Sequence, residues 1–176
     1  MDEQEKGTTE ANVLEGCPES LVPVLEGIKS AFPGLEFDAV FFRGEAVLTV
    51  PTDKAIEVLA YLKETPEHAF DYLIDVGGLH NPGEEREFIV FYNLLSITTN
   101  RRIRIKTPAM GNPPKVRSAT GLWEAANWHE REAYDMYGIL FEGHPDHRRM
   151  FLPEHVDIHP LRKDYPLRGD NDKPTW

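Results

Sequence analysis

At 176 residues, with 40% hydrophobic and 28% charged side chains, the chain has the material for one ordinary domain and is too apolar for a wholly disordered polymer. Its formal charge of −11 is uneven: residues 1–100 carry 6 Lys/Arg against 19 Asp/Glu, whereas residues 101–176 carry 13 against 11. A single cysteine, Cys17, excludes an internal disulfide and the four thiolates of an iron–sulfur cluster, and fits a reducing, cytosol-facing compartment.

Residues 1–17 are polar, acidic and aperiodic, and read as a flexible tail without the basic and apolar regions of a secretory signal. Ser20 is positioned to cap a helix whose face is Leu21, Leu25, Ile28 and Phe32, with Pro33-Gly34 as the stop. Two strands, 35–42 and 45–50, flank Arg43-Gly44 and predict a hairpin. Thr52 or Asp53 then caps a second helix to about residue 63, buried through Ile56, Leu59, Ala60 and Leu62, and Thr65-Pro66 ends it. Residues 70–76, 86–95 and 101–106 predict three further strands, with Gly77-Gly78 and Pro82-Gly83 as turns.

These elements predict an α+β fold, a mostly antiparallel sheet covered by helices on one face. A helix over 118–137 follows, closed by Gly138 as the left-handed residue past its last turn. Beyond it, Pro145, Pro153, Pro160, Pro166 and Pro174 forbid long helices, while Phe141, Met150, Phe151, Leu152, Ile158, Leu161, Tyr165, Leu167 and Trp176 want burial. An extended arm lying on another protein satisfies both. The expected organisation is a tail (1–17), an α+β domain (18–138) and a docking arm (139–176).

Neither GxGxxG nor GxxxxGK[ST] is present, so no nucleotide loop is expected, and the longest apolar stretch, residues 88–95, is far short of the ~20 residues of a membrane helix. Alternation across residues 101–106 places Arg102, Arg104 and Lys106 opposite Ile103 and Ile105, the pattern of a half-buried strand rather than a nucleic-acid patch. His144-x-x-His147 and His155-x-x-x-His159 have spacings that two metal-bound imidazoles could use, which leaves a small metal-dependent hydrolase as a rival reading; His129-Glu130 lacks the second histidine of a zinc-protease helix. Glu130, Arg131, Glu132 and Asp135 crowd one helix, either as a solvated face with an Arg131 to Asp135 pair or as a docking face on which Arg131 reaches a neighbour's carboxylate.

The order of residues decides between these. Glu130-Arg131-Glu132-Ala133-Tyr134-Asp135-Met136-Tyr137-Gly138-Ile139, Phe141-x-Gly143-His144-Pro145-Asp146, Arg148-Arg149-Met150, Leu152-Pro153 and Pro160-Leu161-Arg162-Lys163-Asp164-Tyr165-Pro166 together resemble the signature of the 30 kDa (C-type) subunit family of respiratory complex I. Tyr72-Leu73-Ile74-Asp75 and residues 88–96 resemble its sheet strands, and departures fall at His147 and at His155-Val156-Asp157-Ile158. The resemblance implies a cofactor-free, non-catalytic peripheral-arm subunit of an NADH:quinone oxidoreductase. Its neighbours would be the quinone-site (D) subunit and the iron–sulfur (B and I) subunits of complex I, with the G subunit as a further candidate. FMN, iron–sulfur clusters and quinone would sit in those partners, and the membrane would be met only through them, on the cytoplasmic side. It further implies interface roles for Glu130, Arg131, Glu132, Asp135, His144, Arg148, Arg149, Arg162, Lys163 and Asp164. A subunit of the same fold in a ferredoxin- or plastoquinone-linked complex or a membrane-bound hydrogenase is the alternative.

Overall fold

The computed structural model describes residues 16–166, so the tail before residue 16, Leu167, Pro174 and Trp176 lie outside the described residues. The described chain forms a five-stranded sheet in the order β1-β2-β5-β4-β3, a two-stranded sheet and three helices, the α+β class expected from the alternation of patterns. Two compact units divide it. Among the described residues, the first holds residues 16–75 and 92–107, the second residues 76–91 and 108–166, and the chain passes between them at 75/76, 91/92 and 107/108.

In the first unit, α1 (Val22–Ala31) and α2 (Ala55–Glu64) supply Val24, Leu25, Ile28, Val58, Leu59 and Leu62, all fully buried. Both helices begin without a side-chain cap, at Leu21 and Lys54, so neither Ser20 nor Thr52 nor Asp53 acts as expected. Pro at the start of α1 offsets the loss by needing no N–H partner. Strands β1 (Asp38–Phe42) and β2 (Glu45–Thr49) pair antiparallel in the register Asp38↔Thr49 and Phe42↔Glu45, closed by Arg43 (φ 51°) and Gly44 (φ 83°). Two consecutive positive φ angles match the right-handed twist of the strands, the reason a two-residue reversal works here.

Strand β2 continues into a parallel pairing with β5 (Arg101–Ala109), Ala46 opposite Ile103 and Thr49 opposite Lys106. Strands β3 (Tyr72–His80), β4 (Phe88–Ser96) and β5 follow one another through loops of seven and four residues, too short for anything but antiparallel neighbours. As read from the sequence, Ile103 and Ile105 are buried and Arg102 is exposed. Each buried isoleucine contributes roughly 1.5–3 kcal/mol through transfer from water.

Gly77-Gly78 is not a turn but the middle of β3. A Cβ on Gly77 would strike the Phe91 ring, and one on Gly78 would lie 2.7 Å from the Tyr137 ring, so both glycines are there to let rings sit on the strand. The second unit also contains two strands that the sequence hid, β6 (Lys115–Arg117) and β7 (Leu140–Glu142), parallel with Val116 opposite Phe141. The third helix, α3 (Ala126–Tyr137), begins eight residues later than expected, because Ser118, Ala119 and Thr120 are drawn into hydrogen bonds with each other and with Glu130. Gly138 closes it in the left-handed region at φ 74°, as expected. Among the described residues, no helix is long and apolar enough to cross a membrane.

Candidate functional site

The charged signature falls on α3 and on the irregular segment after β7, both in the second unit. Positions 128, 131 and 135 share one helical face by their three- and four-residue spacing, and the segment runs along that face. Arg131 donates from Nε to the Arg148 carbonyl (2.9 Å) and from Nη2 to the Arg149 carbonyl (3.2 Å), with its guanidinium 5.3 Å from the Trp128 ring centroid. It therefore holds its own chain's backbone, and no pair with Asp135 forms.

Asp135 is wholly buried, and the segment wraps its carboxylate. The consecutive N–H groups of Met150, Phe151 and Leu152 donate to Oδ2 at 3.1, 2.7 and 3.0 Å, and Arg149 Nη1 donates to Oδ1 at 2.7 Å. Three successive amides aimed at one oxygen make an anion-binding concavity. Burial pushes the Asp135 carboxyl up, but the Leu152 and Phe151 amides, the Arg149 guanidinium and the Met150 amide together hold it below the usual carboxylate range. Arg149 also donates to the Ile158 carbonyl (3.0 Å) and keeps 7% of its side chain exposed.

A helix leaves its last carbonyls without intrahelical donors, and here the same segment supplies them. His159 Nδ1 donates to the Asp135 carbonyl (3.0 Å), the Leu161 N–H to Met136 (3.2 Å) and Arg162 Nε to Tyr137 (2.6 Å). Arg149 and Arg162 thus place cations where the helix dipole favours them. Arg162 lies 5.0 Å from the Phe88 ring centroid, and the Lys163 N–H donates to buried His80 Nδ1 at 2.9 Å.

Glu130 is fully buried on another side of α3, accepting from Ser118 Oγ and the Ala119 N–H, both at 2.6 Å. Burial pushes its pKa up to about 7 against the opposing pull of those two hydrogen bonds. Asp146 and Arg148 form a two-pronged pair at 2.7 Å on each arm, and Arg148 holds the Asp146 carboxyl down at about 2. Glu132, Arg148, Lys163 and Asp164 are exposed.

Of the ten residues singled out in the sequence, Arg131, Asp135, Arg149 and Arg162 thus form one network that fixes the segment to α3. Glu130 braces the start of that helix, and His144 joins Asn127 and Asp146 by its two ring nitrogens. The spacing His144-x-x-His147 leads to backbone hydrogen bonds, and among the described residues no group of three or more His, Cys, Asp or Glu is placed to hold a metal. Sequence reasoning missed His80, whose partner Lys163 is 83 positions away, and the cap donor role of His159. Exposed Trp128, Phe151 and Leu161 are the large apolar side chains that this docked segment and its helix leave to solvent.

Comparison with known proteins bears on these residues. The family described as respiratory-chain NADH dehydrogenase, 30 Kd subunit, matches residues 48–171. The NADH-quinone oxidoreductase C-type subunit numbered 2 of Rhizobium meliloti (strain 1021) is 44% identical over 149 residues, 85% of this chain and 81% of that one. The corresponding C-type subunit of Roseiflexus sp. (strain RS-1) is 41% identical over 147 residues, 84% of each. A solved structure of Nqo5, the trypsin-resistant fragment (1-134) in the P63 form, is 29% identical with a TM-score of 0.60, covering 72% of this chain and 98% of that one. A chain of the membrane-bound sulfane sulfur reductase, an archaeal respiratory membrane complex, shares the fold with a TM-score of 0.67 at 22% identity, covering 88% of this chain and 97% of that one.

Proposed function

Since this chain belongs to the respiratory-chain NADH dehydrogenase 30 kDa subunit family, we propose that it is a cofactor-free, non-catalytic scaffold of a proton-translocating NADH:quinone oxidoreductase. It sits in the peripheral arm, on the cytoplasmic side of the membrane. It holds the quinone-site (D) subunit beside the iron–sulfur (B and I) subunits, with the G subunit as a further neighbour, while electrons pass from NADH to quinone through FMN, clusters and quinone housed in those partners.

The observation that carries this reading is the segment that Asp135 organises. Residues 143–166 have no regular secondary structure, yet Arg131 and Asp135 of α3 hold their backbone, and the Arg149 and Arg162 side chains reach back to Asp135 and to the Tyr137 carbonyl. A segment fixed in this way is a rigid arm. Rigidity lowers the ordering cost of association, and the arm presents Phe151, Leu161, Arg148, Lys163 and Asp164 outward as apolar anchors and rim charges. Arg131, Asp135 and Arg149 then act by shaping the arm, and the exposed residues act by touching the partner.

Affinity purification of the tagged full chain from gently solubilised membranes, with every co-purifying protein identified by mass, tests the scaffold role. Recovery of the quinone-site subunit and both iron–sulfur subunits, together with iron–sulfur absorbance, is the expected result; recovery of the chain alone overturns it. The archaeal complex carries the same fold, so the identity of the remaining partners decides the donor: NADH-oxidising subunits support this reading, and ferredoxin- or hydrogenase-type partners replace it.

A further inference from the structure

Among the described residues of the first unit, the sheet has one face packed and one face open. Successive residues of a strand point to opposite faces, and the registers Val47↔Arg104 and Thr49↔Lys106 put Glu45, Val47 and Thr49 of β2 on the same side as Arg102, Arg104 and Lys106 of β5. The intervening Ala46, Leu48, Ile103 and Ile105 are buried on the other face. Val40 and Phe42 of β1 share the open side through their partners Val47 and Glu45, and both stand in solvent, Phe42 at 64%. On β3, Ile74 lines a pocket of about 190 Å³ on this side together with Glu45, Asn93, Arg102 and Arg104, and Tyr72, two residues along the strand, is half exposed. Four large apolar side chains left out on one sheet face mark a surface that something covers.

The charges of the face say what the covering partner carries. Residues 16–75 hold 4 Lys/Arg against 11 Asp/Glu, whereas residues 92–107 hold 4 Lys/Arg and no acid. Of those four, Arg101 is engaged with the carbonyls of Ser20 and Glu67. The other three stand in line on the open face, about 7 Å apart at two residues of strand rise. Asn93 orients the Arg104 guanidinium by accepting from its Nε at 2.7 Å, while Arg102 meets Glu45 at only 3.8 Å with more than half of each side chain in water. Such an exposed pair contributes little and is easily exchanged. The acids of this face, Asp38 and Glu45, lie on the β1 and β2 side of the stripe, and on the β4 side Asn93 and Leu95 carry no charge.

We propose that this face is a second docking surface, separate from the arm, for an acidic segment of a partner protein. The segment's carboxylates lie over Arg102, Arg104 and Lys106 on the β4 side of the stripe, one of them in the pocket beside Ile74, and its apolar residues cover Tyr72 and Ile74. Val40 and Phe42, on the far edge, are left for the rest of the same partner. The stripe sets the segment's alignment, since charges placed in line penalise every other register. A pocket of this size is below the roughly 300 Å³ at which small-molecule sites begin, but it admits one side chain. Nucleic acid would meet three cations hemmed by Asp38 and Glu45 on a chain of charge −11, and an anionic membrane is read by clusters of about four to eight cations. The surface adds to the scaffold role proposed above, which the arm carries, and serves whichever complex the chain joins.

The test is carbodiimide coupling, which joins a lysine amine to a carboxylate in contact with it, applied to whatever complex the tagged full chain brings down from gently solubilised membranes. Lys106 supplies one amine on the face, and Arg102→Lys supplies a second at unchanged charge. Mass spectrometry should find both linked to Asp or Glu residues of one segment in one partner protein. Arg102→Glu with Lys106→Glu should lower recovery of that partner roughly tenfold or more, since like charges then face each other. Thermal unfolding of this double variant should stay near that of wild type, because both side chains stand on the open face. Links confined to carboxylates of this chain, its own or a second copy's, overturn the surface, as do links scattered over many proteins or none at all. Unchanged recovery of the linked partner by the double variant overturns it too. If that variant does not fold, the links of wild type and of Arg102→Lys decide. Recovery of the quinone-site and iron–sulfur subunits without such links sinks the surface and leaves the scaffold; links to an acidic segment in a subunit of some other complex sink the scaffold and leave the surface.

Discussion

Asp135 and Glu130 are carboxylates five positions apart on one helix, yet they depend on opposite charge states. Asp135 is held ionised by three amides and Arg149, so Asp135→Asn leaves a guanidinium in a nearly closed site without its partner. Its expected cost is about 3 kcal/mol in chemical denaturation, within the range for removing one member of a buried pair. Glu130 is the reverse. Its pKa, raised to about 7, means that the folded state binds a proton more tightly than the unfolded chain, so its contribution to stability declines as pH rises from the ordinary carboxylate range to neutrality. Glutamine can keep both bonds, accepting from Ala119 and donating to Ser118. The stability of Glu130→Gln relative to wild type should therefore grow by at most roughly 3 kcal/mol between about pH 5 and pH 8, and a flat difference would show that Glu130 is not buried as described. At this scale four of the residues singled out in the sequence, Arg131, Asp135, Arg149 and Arg162, share one network within the chain, but not through the pair that spacing suggested. Arg131 to Asp135 is the pair that helical spacing suggests, whereas Arg149, 14 positions on, is the one that forms. No period in sequence encodes a partner reached through irregular backbone.

Strand alternation and the hairpin at Arg43-Gly44 were readable because they depend on neighbours in sequence. The caps were not, since α1 and α2 begin at Leu21 and Lys54 with no side-chain acceptor at all. Three-residue strands β6 and β7, paired in parallel, carry too little pattern to be seen. The arm's helix-end role was equally hidden, and it makes Gly138 doubly constrained. A Cβ there would need a left-handed φ and would strike Arg162 and His159, with His159 Nε2 only 2.6 Å away. Gly138→Ala is expected to cost more than the ~1 kcal/mol of a lost C-cap glycine, because the arm must also move. Hydrogen exchange should then show residues 159–163 losing protection while α1 and α2 keep theirs.

For the chain as a whole, the charge asymmetry read from composition takes a specific form: the basic residues of the arm divide into those used internally and those presented outward. Arg149 is engaged within the chain in a nearly closed site, whereas Lys163 is exposed and Arg148, though paired with Asp146, stays open to solvent. Neutralising these two, Arg148→Gln with Lys163→Gln, should cost at most about 1 kcal/mol of thermal stability, since the Arg148–Asp146 pair it breaks lies on the surface. Recovery of partner subunits should nevertheless fall at low salt, and the gap to wild type should close as salt is raised, because rim charges govern encounter and salt screens them. Equal recovery would argue against an electrostatic rim on the arm. Family membership was legible from the motif, since long ordered strings of residue types are far more specific than composition. The fate of each charge within the family's arm was not, because burial is a property of the folded chain.

The three passages of the chain between its two units also order events in time. As the polypeptide leaves the ribosome, the segment 76–91 emerges long before the rest of its unit, which begins at Pro108. At the usual ~5–20 residues per second, the roughly 70 residues still to come keep that hairpin waiting on the order of 3–14 seconds. During that interval His80 and Phe88 lack the arm residues Lys163 and Arg162 that meet them in the folded chain. A chain ended just past residue 107 and released from the ribosome should therefore present a protease-resistant first unit with a chaperone-accessible loop, and synthesis speed over residues 108–166 becomes a determinant of yield.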